Sequence, residues 1–457
     1  MRIFAPDLAA ATDSAAGGSG ADPSIPDDQA VMLSAFRPDP GPDPASRFPM
    51  SLPPTGLAAL ATGAVLSPFT RLRNLLADIP AGHDRTIDLT LGEPRETMPG
   101  FIADKIREAE ALFAKYPPIK GSDALRGAIA EWLDRRFNLT GAGKVDAARE
   151  VLPSNGSREG LFYAAFPAVG RKAHVERPAI LICNPYYQAY IGAALATGAE
   201  PVYLNATAET GHLPNLDEIA DDTALLDRTA AFYLCSPANP QGAVASRAYI
   251  ARALDLARRH DFMLFLDECY SEIYADAPPT GGLEVAAATA ERFRNLVVFN
   301  SLSKRSNLPG LRSGFSAGDA TFLETLAEVR NLVGPTMPGP VQHASAAAWS
   351  EEQHVVSNRM AYRAKYDVCD EVLQGRFGYV RPAGGFFLWL DMSQFGGGGD
   401  AAVTIWQRCG VRVIPGAYLA QPGRDGINPG ANYVRVALVA DPATIREALT
   451  RIVSVHA

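Results

Sequence analysis

A chain of 457 residues, 47% of them hydrophobic, carries enough apolar side chains for one large core or two moderate ones. Its 42 Lys and Arg against 50 Asp and Glu give a net charge of −8 with no long basic run, which argues against a nucleic-acid partner. The five cysteines (Cys183, Cys235, Cys269, Cys369, Cys409) and seven histidines are scattered, so the thiols read as reduced core groups of a cytoplasmic protein, no metal site is expected, and no apolar run reaches the roughly 20 residues of a membrane span.

Residues 1–48 are rich in Ala, Asp, Pro, Gly and Ser, without hydrophobic periodicity, and predict a disordered tail. Asp7, Asp13, Asp22 and Asp27 interrupt what a signal peptide would need as an apolar stretch, and Met50 is a candidate start of translation. Residues 49–95 are expected to join a small domain formed from both chain ends. Apolar residues at three- and four-residue spacing predict helices over Phe101–Phe113 and Ser122–Phe137. Continuous apolar runs follow at Ala179–Cys183, Ala231–Cys235, Phe262–Leu266 and Leu296–Phe299, separated by helical stretches such as Arg247–Arg259. Such runs are the pattern of a parallel sheet buried on both faces, within a large domain over 96–335. After residue 335 come long helical stretches, then Gly384–Asp391 and Asn432–Val439, which predict a smaller α+β domain over 336–457. No internal repeat is evident.

The apolar runs end abruptly in polar residues: Asn184-Pro185-Tyr186-Tyr187, Ser236-Pro237-Ala238-Asn239, Asp267-Glu268-Cys269-Tyr270 and Asn300-Ser301-Leu302-Ser303-Lys304. In an open α/β sheet, ligands sit at those carboxyl ends. A free Lys304 amine with an ordinary pKa near 10.4 lies about 3 units, roughly 4 to 5 kcal/mol, from neutrality at pH 7. Condensation with an aldehyde cofactor removes that obstacle. A protonated pyridine ring would then need a buried carboxylate, which Asp267 can supply, while Tyr270 and Asn239 can bond the ring oxygen. Asn155-Gly156-Ser157-Arg158-Glu159 opens a helical stretch and offers backbone N–H groups to a phosphate, and Arg312 adds a bidentate clamp.

The order and spacing of Leu91-Gly92-Glu93-Pro94, Tyr116, Asn155–Glu159, Pro237-Ala238-Asn239-Pro240, Asp267–Tyr270, Ser301–Gly314 and Tyr433-Val434-Arg435 resemble the class I/II aminotransferases of fold type I. That resemblance spans nearly everything after about residue 65. It implies an α/β fold whose large domain holds a mostly parallel seven-stranded sheet, a homodimer with shared active sites, and pyridoxal 5'-phosphate as cofactor. It further implies that Lys304 carries the cofactor as a Schiff base and moves the substrate proton. Asp267 would face the pyridine nitrogen, and Asn239 and Tyr270 the ring oxygen. Gly156 with Ser157, Arg158, Ser301 and Arg312 would hold the phosphate, Tyr187 would stack on the ring, and Tyr116 would reach the neighbouring subunit's phosphate. Gly92, Asn239 and Arg435 would take the substrate. Within the family, Lys115–Arg126, Asn155–Phe162, Asn184–Tyr190, Asp267–Tyr274 and Ser301–Phe315 resemble bacterial N-succinyldiaminopimelate aminotransferases of lysine biosynthesis. Arg95, Lys120 and Arg158 are the electrostatic candidates for a distal succinyl carboxylate.

Each residue also has a plainer reading. Most lysines are solvated surface groups, Asp267 can cap a helix, Asn239-Pro240 is a turn pair, and Tyr187 and Tyr270 can be packing aromatics. Arg435 can be an ordinary ion-paired arginine, and Gly92 and Gly156 can serve turns alone. The serial placement at successive strand ends favours the site. The same scaffold serves lyases, decarboxylases, α-oxoamine synthases and aminotransferases for aspartate, aromatic or LL-diaminopimelate substrates. These differ in which substrate bond lies perpendicular to the ring. A cofactor-sensing transcription regulator would need a DNA-binding domain, and the short, acidic residues 1–48 do not resemble one.

Overall fold

The computed structural model describes residues 66–455 together with Ala58. The tail expected over 1–48 and the candidate start at Met50 lie outside them. The described residues from Leu66 to Val455 belong to one compact unit.

The strands in chain order are β1 (Ile87–Asp88), β2 (Val151–Ser154), β3 (Ala179–Asn184), β4 (Glu200–Asn205), β5 (Thr229–Cys235), β6 (Met263–Asp267), β7 (Leu296–Ser301), β8 (Gly314–Gly318), β9 (Phe387–Asp391), β10 (Val411–Arg412), β11 (Ile414–Pro415) and β12 (Tyr433–Ala437). Seven of them form the main sheet in the order β2-β8-β7-β6-β5-β3-β4. Pairing is parallel from β7 through β6, β5 and β3 to β4, and β8 runs antiparallel to both β7 and β2. This is the mostly parallel seven-stranded sheet expected from the resemblance.

The apolar runs are continuous because both faces of the sheet are covered. Successive side chains of a strand point to opposite faces, so Leu264 and Leu266 of β6 pack with Trp132, Leu254, Leu283 and Trp349, while Met263 and Phe265 pack with Leu161, Tyr190 and Phe322. The first group comes from helices Asp123–Arg136, Arg247–Arg259, Gly282–Ala287 and Gly339–Ser350, the second from Ser157–Arg171, Gln188–Ala196 and Ala320–Val333. Helix Arg247–Arg259 has the predicted bounds. The stretch Phe101–Phe113 does not run on as one helix: it stops at Glu108 and a 3-10 turn, Glu110–Ala114, follows. Leu112 and Phe113 there are exposed, so the last part of the periodic pattern has no core to cover.

A second hydrophobic core lies around the antiparallel sheet β11-β12-β9 and the parallel pair β1-β10, which joins the N-terminal side of the chain to its C-terminal part. Helices Gln353–Leu373, Gly398–Cys409 and Pro442–Ser454 contribute to it. This is the smaller α+β region built from both ends of the chain. The Ala437 N–H donates to the Leu89 carbonyl at 2.8 Å, tying β12 to the segment after β1, and the Gly385 N–H donates to the Ile273 carbonyl at 2.8 Å, so the segment before β9 reaches the loop after β6 of the main sheet.

Gly314 at the start of β8 is required by contact. A Cβ there would lie 2.6 Å from the Asn300 carbonyl and 2.8 Å from the Ser157 nitrogen, both rigid backbone. The close approach brings the N-terminus of helix Ser157–Arg171 against the end of β7, where Lys304 follows.

Candidate active site

The carboxyl ends of β5, β6 and β7 open into a cavity of about 690 Å³. Gly92, Ser157, Arg158, Tyr187, Asn239, Asp267, Tyr270, Ser301, Lys304, Arg312 and Arg435 all line it. These residues are scattered over most of the chain and meet because parallel strands deliver their ends to one edge.

Lys304 sits in the short helical turn Leu302–Arg305 after β7. Its Nζ donates to the Gly92 carbonyl at 2.5 Å and lies 5.2 Å from the centre of the Phe386 ring. Burial pushes its pKa down to about 8, and the nearby Arg435 and Arg312 act in the same direction. Near neutral pH a useful fraction of this amine is unprotonated, which an ordinary lysine cannot offer.

Asp267 ends β6 and is buried. Burial raises its pKa, and this is opposed by the Tyr190 hydroxyl, which donates to Oδ2 at 2.7 Å, and by the Cys269 N–H on Oδ1 at 3.2 Å. Tyr190 is held flat against Tyr233, with ring centres 4.7 Å apart. Arg435, on β12, is 5% exposed. It donates to the Thr90 carbonyl at 2.7 Å and to Asn239 Oδ1 at 3.3 Å, its guanidinium rests 4.5 Å over Phe387, and its Nε has no partner. Burial lowers its pKa to about 10. Among the described residues no ion pair reaches Asp267, Lys304 or Arg435.

The other end of the cavity is a cradle. Gly156 has φ +81°, and a Cβ there would lie 2.3 Å from Arg312 Nη2, so glycine is needed both for the backbone and for the guanidinium. Arg312 itself has φ +55° and is fixed by bonds to the Pro309 carbonyl at 2.9 Å and the Asn155 carbonyl at 3.1 Å. Ser157 is the first residue of a 15-residue helix, whose free N–H groups favour an anion. Ser301 Oγ donates to the Ser313 carbonyl at 3.0 Å, and Arg158 Nε bonds the Tyr187 hydroxyl at 2.5 Å. Tyr270 is buried edge-on against Phe386 and Phe387.

Pyridoxal 5'-phosphate fits this donor set. The carboxylate of Asp267 lacks a cation, the Lys304 amine is held near neutrality, and the cradle at Gly156, Ser157 and Arg312 is one that any side chain at position 156 would fill.

Tyr116 is the predicted residue the structure keeps apart: it is 102% exposed and lines no part of the cavity. Of the distal candidates, Arg158 alone lines the cavity. Lys120 is paired with Glu324 at 2.7 Å, and Arg95 is exposed elsewhere. Sequence reasoning passed over Phe69, Glu93, Tyr186, Gln188, Cys269, Phe387 and Leu419, which also line the cavity, and Tyr190, which supports Asp267. Tyr190 had a signal, since it stands three residues beyond Tyr187 at the start of helix Gln188–Ala196, and that spacing puts both on one side.

The sequence model of the family described as "Aminotransferase class I and II" matches residues 84–452. The chain is 30% identical over 389 residues to the LL-diaminopimelate aminotransferase of Desulforudis audaxviator, covering 84% of this chain and 94% of that one. It is 32% identical over 371 residues to the 4-dedimethylamino-4-oxo-anhydrotetracycline transaminase of Streptomyces rimosus, covering 81% and 93%. A crystal structure of an aminotransferase from Neisseria meningitidis is similar with a TM-score of 0.80 and 39% identity, covering 86% of this chain and 98% of that one.

A buried guanidinium without a counter-ion is costly to fold around, by several kcal/mol before its hydrogen bonds are counted. Arg435→Met is therefore expected to unfold at a temperature no lower than the parent protein in differential scanning calorimetry. A clearly lowered midpoint would show that the bonds to Thr90 and Asn239 fully offset the desolvation.

Proposed function

The chain belongs to the class I and II aminotransferases, enzymes that depend on pyridoxal phosphate, and from that premise we propose that it exchanges the amino group between N-succinyl-LL-2,6-diaminopimelate and 2-oxoglutarate, with glutamate as the second amino acid. The observation that carries the amino-acid reading is Arg435, a buried cation with no carboxylate of its own in the same cavity as Lys304 and Asp267. A substrate α-carboxylate completes it, with the Asn239 amide alongside.

Pyridoxal phosphate, when bound, supplies the electron sink that accepts the pair left when the substrate's α-proton departs. The chain's own groups do the rest. Asp267 would keep a positive charge at the pyridine nitrogen, and Tyr190 and the Cys269 N–H hold its carboxylate in place for that task. Tyr270 and Asn239 would donate to the ring oxygen, Ser157, Arg158, Ser301 and Arg312 with the Gly156 turn would hold the phosphate, and Tyr187 would pack against the ring. With the cofactor and substrate bound, Lys304 would be the group that takes and returns the substrate's α-proton, a role suited to an amine whose pKa burial has brought close to the working pH.

The choice of the succinylated substrate is supported by the segments Lys115–Arg126, Asn184–Tyr190 and Asp267–Tyr274, which resemble bacterial N-succinyldiaminopimelate aminotransferases. A second reading, LL-diaminopimelate itself, is favoured by relatives that carry that name in Desulforudis audaxviator and Nitratidesulfovibrio vulgaris. We also propose a homodimer in which Tyr116, exposed beside Leu112 and Phe113, enters the neighbouring subunit's site.

Four measurements bear on this reading. The purified protein, loaded with pyridoxal phosphate, should lose its visible absorption band on addition of glutamate and of N-succinyl-LL-2,6-diaminopimelate, and Lys304→Ala should retain cofactor without turnover. A response to LL-diaminopimelate and not to its succinyl derivative would replace the substrate by the second reading, and no band at all would remove the function. The rate at which apoprotein acquires the band should rise with pH through a midpoint near 8, because only the unprotonated amine attacks and that form is present above the folded-state pKa. A midpoint near the ordinary value of about 10.4 would show that burial does not tune Lys304. Sedimentation should give a dimer; an active monomer would end the shared-site proposal.

A further inference from the structure

Between Thr90 and Pro99 the chain crosses the mouth of the cavity, and this segment carries Gly92. Among the described residues, three polar side chains from elsewhere reach it: Arg435 at the Thr90 carbonyl, Lys304 at the Gly92 carbonyl and Lys365 at the Glu96 carboxylate. The contact at Gly92 is not permanent, because the chemistry assigned to Lys304 takes its nitrogen away from Gly92. Arg435 then holds the segment at Thr90, and Lys365 holds it beyond Gly92, at Glu96.

Lys365 is unusual in its own right. It is 1% exposed, its Nζ lies 2.6 Å from Glu96 Oε1, and it makes no hydrogen bond to any other described group. Lysine is seldom fully buried, and separating the pair would leave the Lys365 ammonium buried without a counter-ion, so the pair resists separation even though forming it brings little net stability. Its place on helix Gln353–Leu373 gives that rigidity a purpose. Asn358, Tyr362 and Lys365 stand at spacing i, i+4, i+7, which is one face of the helix. Asn358 Nδ2 donates to the carbonyls of Lys304, at 2.9 Å, and Arg305, at 3.3 Å. Tyr362 stacks on Phe386 with ring centres 5.1 Å apart, and Phe386 lies beneath the Lys304 ammonium. Lys365 Nζ sits 4.7 Å over the Tyr362 ring.

From this arrangement we infer that Glu96 and Lys365 are positioning residues for substrate binding: the ion pair ties the Gly92 segment to the same helix face that fixes the backbone of Lys304, so the two walls of the site keep their spacing when Lys304 lets go of Gly92. The inference rests on the reading of Gly92 as a substrate contact. Neither residue touches the reacting atoms.

The test uses the cofactor-loaded, full-length protein and the variants Lys365→Met, Glu96→Gln and the charge-reversed double variant Glu96→Lys with Lys365→Glu. Titration with L-glutamate, read from the visible band, should show half-saturation raised about tenfold or more in each single variant, with the limiting rate and cofactor affinity close to the parent's and partial recovery in the double variant. Hydrogen–deuterium exchange should quicken over residues 91–98 in the single variants and not over the main-sheet strands. A role confined to stability would lower the unfolding midpoint and leave half-saturation unchanged, which would overturn the inference, as would unaltered exchange over 91–98. Should Lys365→Met fail to fold, Glu96→Gln, on the partly exposed partner, decides by the same two readouts. A parent protein that does not respond to glutamate would count against the aminotransferase reading instead, while the exchange measurement still decides whether the pair anchors the segment.

Discussion

Three ionisable side chains, the buried Asp267 and Arg435 and the half-buried Lys304, line one cavity, and none has a counter-ion among the described residues. Withdrawing a charge from water without a partner is among the most unfavourable things a fold can do. Each group answers in the way open to it: Asp267 and Lys304 shift toward their neutral forms, and Arg435 is held by two carbonyl oxygens and an aromatic face. The pattern is complementary to what the family binds. A pyridinium nitrogen, an aldehyde and an α-carboxylate call for an anion, a neutral amine and a cation in turn, and the cradle at Gly156 and Arg312 suits a phosphate.

The rest of the architecture makes that concentration of charge possible. Parallel strands β5, β6 and β7 bring Asn239, Asp267 and Lys304 to one edge, while their own backbones stay saturated and their apolar side chains fill both layers. The antiparallel strand β8 then returns the chain from Lys304 so that Arg312 and Gly314 meet the start of helix Ser157–Arg171. The smaller sheet closes the other side, with Arg435 carried on β12 opposite Trp389 of β9. Rigid backbone supplies positions, and the charged side-chain ends face the cavity from it, which is how weakly compensated charges are kept at fixed spacing.

Most of this frame was readable from residues alone. The runs at Ala179, Ala231, Phe262 and Leu296 announced buried strands because two-sided burial leaves no polar face, and the polar residue ending each run marked the site. β8, Gly-Phe-Ser-Ala-Gly, and edge strand β4, with Pro201, gave weaker signals, since glycine and proline depress the strand pattern without preventing the strand. What could not be read were pairings that only the closed fold creates. The bond from Lys304 to Gly92 spans 212 residues, and that from Arg435 to Thr90 spans 345. Tyr190 was visible as part of a motif, yet its bond to Asp267 depends on how helix Gln188–Ala196 lies against β6. Lys365 offered no signal at all, because a lysine in a helix reads as solvated until the surrounding core is known.

That asymmetry follows from how the work is divided. Groups that meet the cofactor must present particular chemistry at strand ends, so their residue types stand out in the sequence. Groups that hold those residues in register need only a donor, an acceptor or a flat ring in the right place, and Asn358, Tyr362 and Lys365 meet that need from a helix whose sequence looks ordinary. The helix contacts the site from behind on two sides, under the backbone of Lys304 and at the far end of the Gly92 segment. A change in its orientation would therefore alter the width of the cavity before it altered any group lining it. Control over substrate fit is thus lodged in residues that touch neither substrate nor cofactor, and the buried ion pair, costly to break and of little net benefit to stability, is suited to such a role because its energy depends steeply on geometry.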